Sequence, residues 1–240
     1  MPAKEIVLIT GANKGIGLET ARQLGQRGFK VLLGARDAAL GAKAAESLQA
    51  AGLDVQAIAI NVVDVASITA AAAQVERDFG RLDVLVNNAG VATNHAKPAE
   101  LSGDEARGDF EVNFFGVINV THAFIPLLRK AELPRIVNLS SMLGSHTLHA
   151  DPTSPIYGYT VTAYNASKAA LNLYTQNLAH ALKDEKFKIN AAHPGYVKTD
   201  LAPDGVMTVE QGAETSVYLA TLGSDGPTGG FFHKRDALPW

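Results

Sequence analysis

The alternation of short apolar runs with longer helical patterns constrains this chain more than any other feature. Seven apolar runs of strand length recur along the sequence, and several, such as the run through Leu85, are apolar at consecutive positions. Consecutive apolar residues suit a strand of a parallel sheet, because helices cover both of its faces. The predicted strands are residues 6–10, 30–35, 55–62, 82–87, 135–139, 188–192 and 230–232.

Helical patterns fill the intervals between these strands. The predicted helices are residues 15–28, 37–51, 65–79, 105–130, 161–183 and 209–222. This alternation predicts an α/β fold with a doubly wound, parallel seven-stranded sheet in a Rossmann-like, three-layer α/β/α arrangement. The 240 residues fit one domain, 1–240, and no Pro, Gly or Ser-rich linker divides them. Residues 142–160 have the composition of a long surface loop.

The composition excludes several classes of function. A formal net charge of -3 without a run of Lys and Arg argues against nucleic-acid binding. The absence of cysteine excludes disulfides, thiolate nucleophiles and cysteine-based metal sites. The sequence enters an apolar strand at Ile6 without a charged leader, and no apolar stretch is expected to approach the roughly 18 residues of a membrane span. We therefore expect a cytoplasmic protein with no membrane partner.

The first motif with a chemical meaning follows the first predicted strand. Residues 10–17 read Thr-Gly-Ala-Asn-Lys-Gly-Ile-Gly, which places Gly11, Gly15 and Gly17 between a strand and a helix. Glycine lets the backbone approach a pyrophosphate, whose charge a helix N-terminus favours. The spacing differs from the usual Gly-x-Gly-x-x-Gly, and a purely structural turn is the alternative. The position between strand and helix favours a dinucleotide site.

The end of the second strand indicates which dinucleotide is preferred. An acidic residue there would bind the ribose 2′-hydroxyl of NAD, whereas an arginine accommodates the 2′-phosphate of NADP. This chain has Arg36 at that point, and Lys14 would add a second cation to the phosphate pocket. We therefore predict NADPH/NADP as the cofactor. The alternative is that both cations are solvated and that Asp37 merely caps the next helix.

Tyr164 and Lys168 lie four residues apart in a predicted helix, which places them on one face. A neighbouring ammonium favours the phenolate, so it should make Tyr164 a better proton donor than a free tyrosine, whose pKa is about 10. Reduction of a ketone requires such a donor. The alternative for an isolated pair of this kind is a solvated surface contact.

Several motifs occur together in the order that is typical of one family. They are the glycine segment, Asn87-Asn88-Ala89-Gly90, Asn113, Ser140-Ser141, Tyr164 with Lys168, and Pro194-Gly195. In these motifs the whole chain resembles the short-chain dehydrogenase/reductase family. Within that family it is most similar to the NADPH-dependent carbonyl reductases, through Asn13-Lys14, Ala35-Arg36-Asp37, Asn113-Phe114-Phe115-Gly116 and Gly212-Ala213-Glu214-Thr215.

The resemblance implies a catalytic role for four residues. Tyr164 would donate a proton to the carbonyl oxygen while NADPH delivers hydride to the carbon, and Lys168 would lower the phenol pKa and bind the nicotinamide ribose. Ser141 would donate to the substrate oxygen, and Asn113 would hold a water in a proton relay. Positioned donors and a nearby acid fit the demands of a developing alkoxide. Taken alone, Ser141 could simply end a strand and Asn113 could bond a backbone carbonyl.

The resemblance also implies a set of cofactor contacts. Asn88 would lie near the adenosine ribose, and Val197 and Thr199 near the nicotinamide carboxamide. Where the family often has an aspartate for the adenine amine this chain has Asn61, which leaves the strength of that contact open. The full predicted set is Gly11, Asn13, Lys14, Gly15, Ile16, Gly17, Arg36, Asn61, Val62, Asn88, Ala89, Gly90, Tyr164, Lys168, Pro194, Gly195, Val197 and Thr199.

The segment between Ser141 and Tyr164 is expected to determine which carbonyl binds. By resemblance it is longer than usual for the family, yet much shorter than the insertion of the monomeric animal carbonyl reductases. Its apolar, aromatic and histidine residues suit a pocket for a hydrophobic ketone; they are His146, Leu148, His149, Pro152, Pro155, Ile156, Tyr157 and Tyr159. Two histidines without a third ligand do not predict a metal. Residues 199–208 read as a mobile lip over the nicotinamide.

The predicted activity is therefore reversible, NADPH-dependent reduction of aldehydes or ketones. A reductase of 3-oxoacyl thioesters or steroids with the same machinery is one alternative, and a nonenzymatic NADPH-binding sensor is another. The expected partner is a small carbonyl or secondary-alcohol molecule. The chain is also expected to form a homodimer or homotetramer through the helices at 105–130 and 161–183, where Ala166, Ala169 and Ala170 would permit close packing beside Leu173.

Overall fold

The computed structural model describes residues 4–240 and contains an eight-stranded sheet. The strands are β1 Ile6–Ile9, β2 Lys30–Ala35, β3 Val55–Ala59, β4 Val84–Asn87, β5 Arg135–Leu139, β6 Lys188–His193, β7 Phe231–His233 and β8 Asp236–Ala237. Their order is β3-β2-β1-β4-β5-β6-β7-β8, and only the pairing of β7 with β8 is antiparallel. The predicted doubly wound α/β fold is confirmed, and the seven predicted strands are the parallel ones. The prediction missed β8, because two residues are too few to show a period.

Helices cover both faces of this sheet. They are α1 Gly15–Gln26, α2 Ala38–Ala50, α3 Val65–Phe79, α4 Gly103–Phe110, α5 Gly116–Leu128, α6 His146–Ala150, α7 Thr162–Ala181 and α8 Val209–Ala220. A π-helical segment, Glu111–Phe115, joins α4 to α5, so the predicted helix 105–130 is three pieces rather than one. A π-turn inserts a residue into an α-helix and is frequent at functional sites.

Side-chain caps determine where several helices begin. The carboxylate of Asp37 accepts hydrogen bonds from Ala39 N and Leu40 N at the start of α2, and Asp64 does the same for α3. Ser102 forms a reciprocal capping box with Glu105 at the start of α4. Such caps satisfy amide donors that have no partner within the helix. They explain why the predicted starts of α2 and α3 lie within one residue of the observed ones.

The core consists of two layers because consecutive strand residues point to opposite faces of the sheet. In β1, Val7 and Ile9 belong to the layer under α1, α2 and α8, whereas Leu8 belongs to the layer under α3 and α5. All three residues are completely buried. Burial on both faces is the reason that these strands are apolar at every position.

Gly103–Leu128 is, within the described part of the chain, the one helical segment long and apolar enough to cross a membrane. The expectation that no apolar stretch approaches this length is therefore wrong. The apolar residues of α5 are used inside the protein, since Val120, Phe124 and Leu128 are completely buried in the core. A helix that is apolar because it is packed in the core meets the same criterion.

The predicted surface loop at 142–160 is more ordered than its composition indicated. It contains a 3₁₀ turn, Met142–Gly144, followed by α6. Ser145 is completely buried and donates a hydrogen bond to Pro239 O at 2.8 Å, and Thr147 N donates to Trp240 O at 2.9 Å. The C-terminal residues therefore hold the beginning of this segment in place.

Candidate functional site

A cavity of about 890 Å³ opens where the parallel strands end. The carboxyl ends of parallel strands meet at one edge of a sheet, and β1 lies beside β4 where the strand order reverses, which is where such sheets bind ligands. Most of the predicted cofactor set lines this cavity. These residues are Gly11, Asn13, Lys14, Gly15, Ile16, Gly17, Arg36, Asn61, Val62, Asn88, Ala89, Gly90, Tyr164, Lys168, Pro194 and Thr199.

The glycine segment forms a tight turn between β1 and α1. Gly11 and Gly15 have φ values of +62° and +57°, a left-handed conformation that favours glycine. A Cβ added to Gly17 would lie 2.4 Å from Asn88 Nδ2 and 2.8 Å from Gly11 O. Asn88 Nδ2 itself donates to Thr10 O at 2.8 Å and to Gly11 O at 3.1 Å. The predicted site residue Asn88 thus fastens the glycine turn to the end of β4.

The carboxylate next to Arg36 is already engaged in helix capping. Asp37 Oδ1 accepts from Ala39 N and Leu40 N at 2.9 and 3.0 Å. Arg36 is exposed at the cavity, and none of the described carboxylates pairs with it. This end of β2 therefore presents a free guanidinium toward the cavity, without a competing acid. Phosphate groups prefer that arrangement.

Lys14 lies at the same end of the cavity but is paired with an acid. Its ammonium lies 2.6 Å from the carboxylate of Asp200, and the two side chains are 68% and 79% exposed. Sequence reasoning did not predict Asp200, which lies 186 residues away. An exposed pair of this kind is weak, so a phosphate could displace the carboxylate.

Tyr164 and Lys168 share one face of α7, as predicted, with the ammonium 5.7 Å from the centre of the phenol ring. Burial raises the pKa of Tyr164 to about 12; a hydrogen bond with Ser141 opposes this effect and the charge of Asp109 adds to it. The prediction that Tyr164 is a stronger acid than a free tyrosine is therefore wrong, because removal of water disfavours the phenolate more than its hydrogen bond favours it.

Lys168 is the more deeply buried member of this pair. It is 4% exposed, and its Nζ donates to Leu139 O, at the end of β5, at 2.7 Å. Burial lowers the pKa of Lys168 to about 8, against an opposing effect of the Asp109 charge. The ammonium therefore lies close to its titration point near physiological pH, which is a property of functional sites.

Asn113 and Ser141 lie behind the cavity lining. Asn113 is completely buried in the π-helical segment; its Nδ2 donates to Val91 O and Ser167 Oγ, and its Oδ1 accepts from Val91 N. Its side chain therefore bonds the backbone of Val91, which is the alternative weighed from the sequence, and also the Ser167 hydroxyl on α7. Ser141 Oγ accepts from Leu143 N at 3.2 Å. The proton-relay role of Asn113 stays a prediction.

Two further predicted contacts, Gly195 and Val197, also lie outside the lining. Gly195 has a φ of +91° and continues the turn after Pro194. Val197 is 4% exposed, and its side chain packs where a Cβ on Gly212 would lie 2.6 Å away. Asn61 faces the cavity, but its Oδ1 also accepts a long hydrogen bond of 3.4 Å from Val63 N.

The cavity has other lining residues that were not in the predicted cofactor or catalytic sets. They are Ile60, Val63, Val91, Ala92, Thr93, His95, Val112, Leu139, Ser140, Lys198, Asp200, Leu201 and Pro203. The rule that ligands bind at strand ends could have identified the residues that follow β4. Asp200, Leu201 and Pro203 belong to the predicted lip at 199–208, so this segment does border the cavity. Backbone bonds join it to its base, including Lys198 N to Met207 O at 2.9 Å.

The segment between Ser141 and Tyr164, which was predicted to select the substrate, does not line the cavity. None of its eight named residues belongs to the lining of the cavity, and Ile156 is 5% exposed. His149 Nε2 lies 3.0 Å from Leu143 O, so this ring is bonded to the 3₁₀ turn. Across residues 4–240 no group of three or more His, Cys, Asp or Glu side chains could hold a metal.

Comparisons with known proteins agree on the family. The sequence model of the family described as short chain dehydrogenase matches residues 5–207. A (+)-neomenthol dehydrogenase of Arabidopsis thaliana is 33% identical, with 95% of each chain covered, and carbonyl reductase (NADPH) 1 of Macaca fascicularis is 32% identical, with 98% of each covered. A crystal structure of NADPH-bound carbonyl reductase from chicken fatty liver is 27% identical, covers 99% of each chain and has a TM-score of 0.83.

The two sequence alignments extend over 284 and 274 positions, more than the 240 residues of this chain. These relatives therefore contain residues that this chain lacks. Their substrates need not be the substrates of this chain.

Proposed function

Because the chain belongs to the short-chain dehydrogenase/reductase family, and is thus an oxidoreductase, we propose that it reduces aldehydes or ketones to alcohols with NADPH, reversibly. The observation that carries the proposal is the shared cavity. Tyr164 and Lys168 face the same space as the glycine turn and Arg36. A reacting carbonyl and a dinucleotide could therefore meet there.

The residues present fit NADPH. The glycine turn at residues 11–17 leaves no room for a Cβ on Gly17, as expected where a pyrophosphate comes close to the backbone. The Arg36 guanidinium is free to bind a 2′-phosphate, because the neighbouring carboxylate of Asp37 caps a helix. Bound NADPH supplies the hydride. Arg36 and Lys14 would hold the phosphate, and Asn88 would hold the turn against which the nucleotide lies. An NAD-dependent enzyme would more often have a free acid at the end of β2.

The proton chemistry belongs to the residues of α7 and of the turn after β5. Tyr164 would transfer its phenolic proton to the carbonyl oxygen, and Ser141 would donate a hydrogen bond to the same oxygen. Such groups contribute factors of about 10² to 10⁴ each. Because burial disfavours the phenolate, the Lys168 ammonium beside the ring is needed to stabilise it as the proton leaves.

The substrate of this proposal is a small carbonyl compound or, in reverse, a secondary alcohol. The exposed Leu201 of the lip borders the cavity beside Pro203, which favours an apolar substituent on the carbonyl. The cytoplasmic location and the homodimer or homotetramer stay predictions. The helix face expected to pair exposes Leu173 to 58% and Phe115 to 46%.

The test is a screen of NADPH oxidation by the purified chain against aldehydes, aryl ketones, diketones, 3-oxoacyl thioesters and steroids, with NADPH binding measured in parallel. We expect oxidation with at least one ketone class and slower oxidation of NADH. Tight NADPH binding without turnover of any carbonyl would contradict the proposal and favour the sensor. Turnover confined to 3-oxoacyl thioesters or steroids would favour the alternative reductase.

A further inference from the structure

Among the residues that the structure describes, two buried charges of opposite sign lack an ion-pair partner. The buried charged side chains of residues 4–240 are Glu19, Asp83, Asp109, Arg135 and Lys168. Three of them form ion pairs, which are Glu19–Arg22, Asp83–Arg81 and Arg135–Glu5. No described ion pair includes Asp109 or Lys168. An uncompensated buried charge is costly, so these two placements call for an explanation.

The carboxylate of Asp109 is completely buried at the end of α4, four residues before Asn113. Its Oδ1 accepts hydrogen bonds from Thr93 N at 2.8 Å and from Thr93 Oγ1 at 2.6 Å. Its Oδ2 is shielded from solvent and has no hydrogen-bond partner among the described residues. Because Thr93 lines the cavity, one oxygen holds the cavity wall, while the other is not used by any contact.

Helix α4 packs against α7, which carries Tyr164 and Lys168. The negative charge of Asp109 raises the pKa of both groups. The other charged groups on the same helical run are exposed, and they are Asp104, Glu105, Arg107 and Glu111; His95 on the Thr93 loop is also exposed. On α7, the phenol of Tyr174 is partly buried and packs edge-on against the ring of Phe114. Solvent and salt screen exposed charges, whereas a buried charge acts at nearly full strength.

We propose that Asp109 is a positioning residue for proton transfer, since its carboxylate fixes the Thr93 wall of the cavity and places a buried negative charge in the helix that packs against the helix of Tyr164 and Lys168. The inference rests on the proposed carbonyl reduction. Asp109 acts through α7 and touches no reacting atom. Its charge keeps Lys168 as an ammonium and Tyr164 as a phenol, which are the protonation states that carbonyl reduction requires.

Asp109→Asn tests the charge, because an amide oxygen can still accept both bonds from Thr93. In the wild type, reduction should fall as the pH rises through the pKa of Lys168, about 8. Removal of the negative charge lowers the pKa of Lys168 and Tyr164, so this fall should move to lower pH by about one unit. The reverse oxidation of an alcohol needs the phenolate, so its rise with pH should move in the same direction.

Two more variants separate charge from structure. Thr93→Val removes one bond to Asp109 but keeps the charge, so it should leave the position of the pH transition unchanged. Asp109→Ser is a second neutral variant and should move the transition as Asp109→Asn does. A lower kcat with an unmoved transition in both neutral variants would mean a merely structural role and would overturn the proposal.

The affinity for NADPH gives a readout that needs no turnover. Lys168 binds the nicotinamide ribose as an ammonium in this scheme, so NADPH affinity should weaken above the pKa of Lys168, and at lower pH in Asp109→Asn. If the wild type turns over no carbonyl but this shift in binding is found, the proposed function fails, and with it the role of Asp109 in proton transfer, while the effect of the Asp109 charge on Lys168 stands. If the wild type is active and Asp109→Asn shifts the pH dependence of neither turnover nor NADPH binding, the role of Asp109 is refuted while the proposed function stands.

Discussion

Lys14 and Lys168 are the same kind of side chain on the wall of one cavity, yet their surroundings differ. The ammonium of Lys14 is paired with Asp200 in solvent, with 68% of the side chain exposed. Lys168 is 4% exposed, and within residues 4–240 its ammonium has only the Leu139 carbonyl as a hydrogen-bond partner. Exposed pairs are worth about 0–1 kcal/mol, whereas a buried charge strongly affects its neighbours. The exposed end is thus suited to select the cofactor, and the buried end to move a proton.

The largest effect is expected from Lys168→Met. Without the ammonium, the phenolate that forms at Tyr164 loses its stabilising charge, so kcat should fall by roughly 100-fold or more. Steady-state kinetics measure the loss of kcat, and an NADPH titration measures any loss of cofactor affinity separately. Lys130→Met is the matched control, because Lys130 is exposed and paired with Glu76 at 3.0 Å. Turnover of Lys168→Met close to that of this control would contradict the claim that the buried lysine supports proton transfer and the exposed lysine does not.

Arg36→Ala should have a smaller and different effect. The guanidinium is expected to bind the 2′-phosphate, and charge-assisted bonds of this kind contribute about 1.5–3 kcal/mol. The ratio of kcat/KM for NADPH over NADH should therefore fall by about tenfold or more, while kcat changes little. Arg77→Ala, at an exposed arginine beside Asp78, serves as the control. An unchanged ratio in Arg36→Ala would refute the role of this residue.

The smallest effect is expected at Lys14. Lys14→Met should weaken NADPH binding by a few-fold, because its charge is exposed and already shared with Asp200. Asp200→Asn should strengthen binding by a similar factor, since it frees the ammonium for a phosphate. Both effects should shrink at high salt. NADPH titrations at low and high ionic strength measure both effects. A large, salt-independent loss of NADPH affinity in Lys14→Met would show that Lys14 does not act as an exposed, screened charge and would contradict the contrast with Lys168.

The strand-end residues of this cavity could be predicted because they follow from local sequence. A glycine turn after one strand and an arginine at the end of the next strand indicate a dinucleotide site without reference to distant residues. For the same reason the strand positions and the cap at Asp37 were recognisable. The pairing of Lys14 with Asp200 and the burial of Asp109 depend on how remote segments meet, which no local pattern reveals.

The irregular parts were missed for a different reason. The π-helical segment Glu111–Phe115 keeps the apolar spacing of a continuous helix, so periodicity could not divide 105–130. Helix α6 has only five residues within a segment rich in Gly, Ser and Pro. The pKa of Tyr164 was predicted in the wrong direction because the spacing to Lys168 shows a neighbour but not the loss of water around the ring.

The most direct test is to measure NADPH affinity and carbonyl turnover in Tyr164→Phe, beside Tyr218→Phe as a control on α8. If proton transfer belongs to the buried end and the choice of cofactor to the exposed end, Tyr164→Phe, which keeps Lys168, should bind NADPH as the wild type does and lose turnover by a factor of about 10² to 10⁴. Retained turnover in Tyr164→Phe, or an equal loss of binding and turnover, would contradict this account.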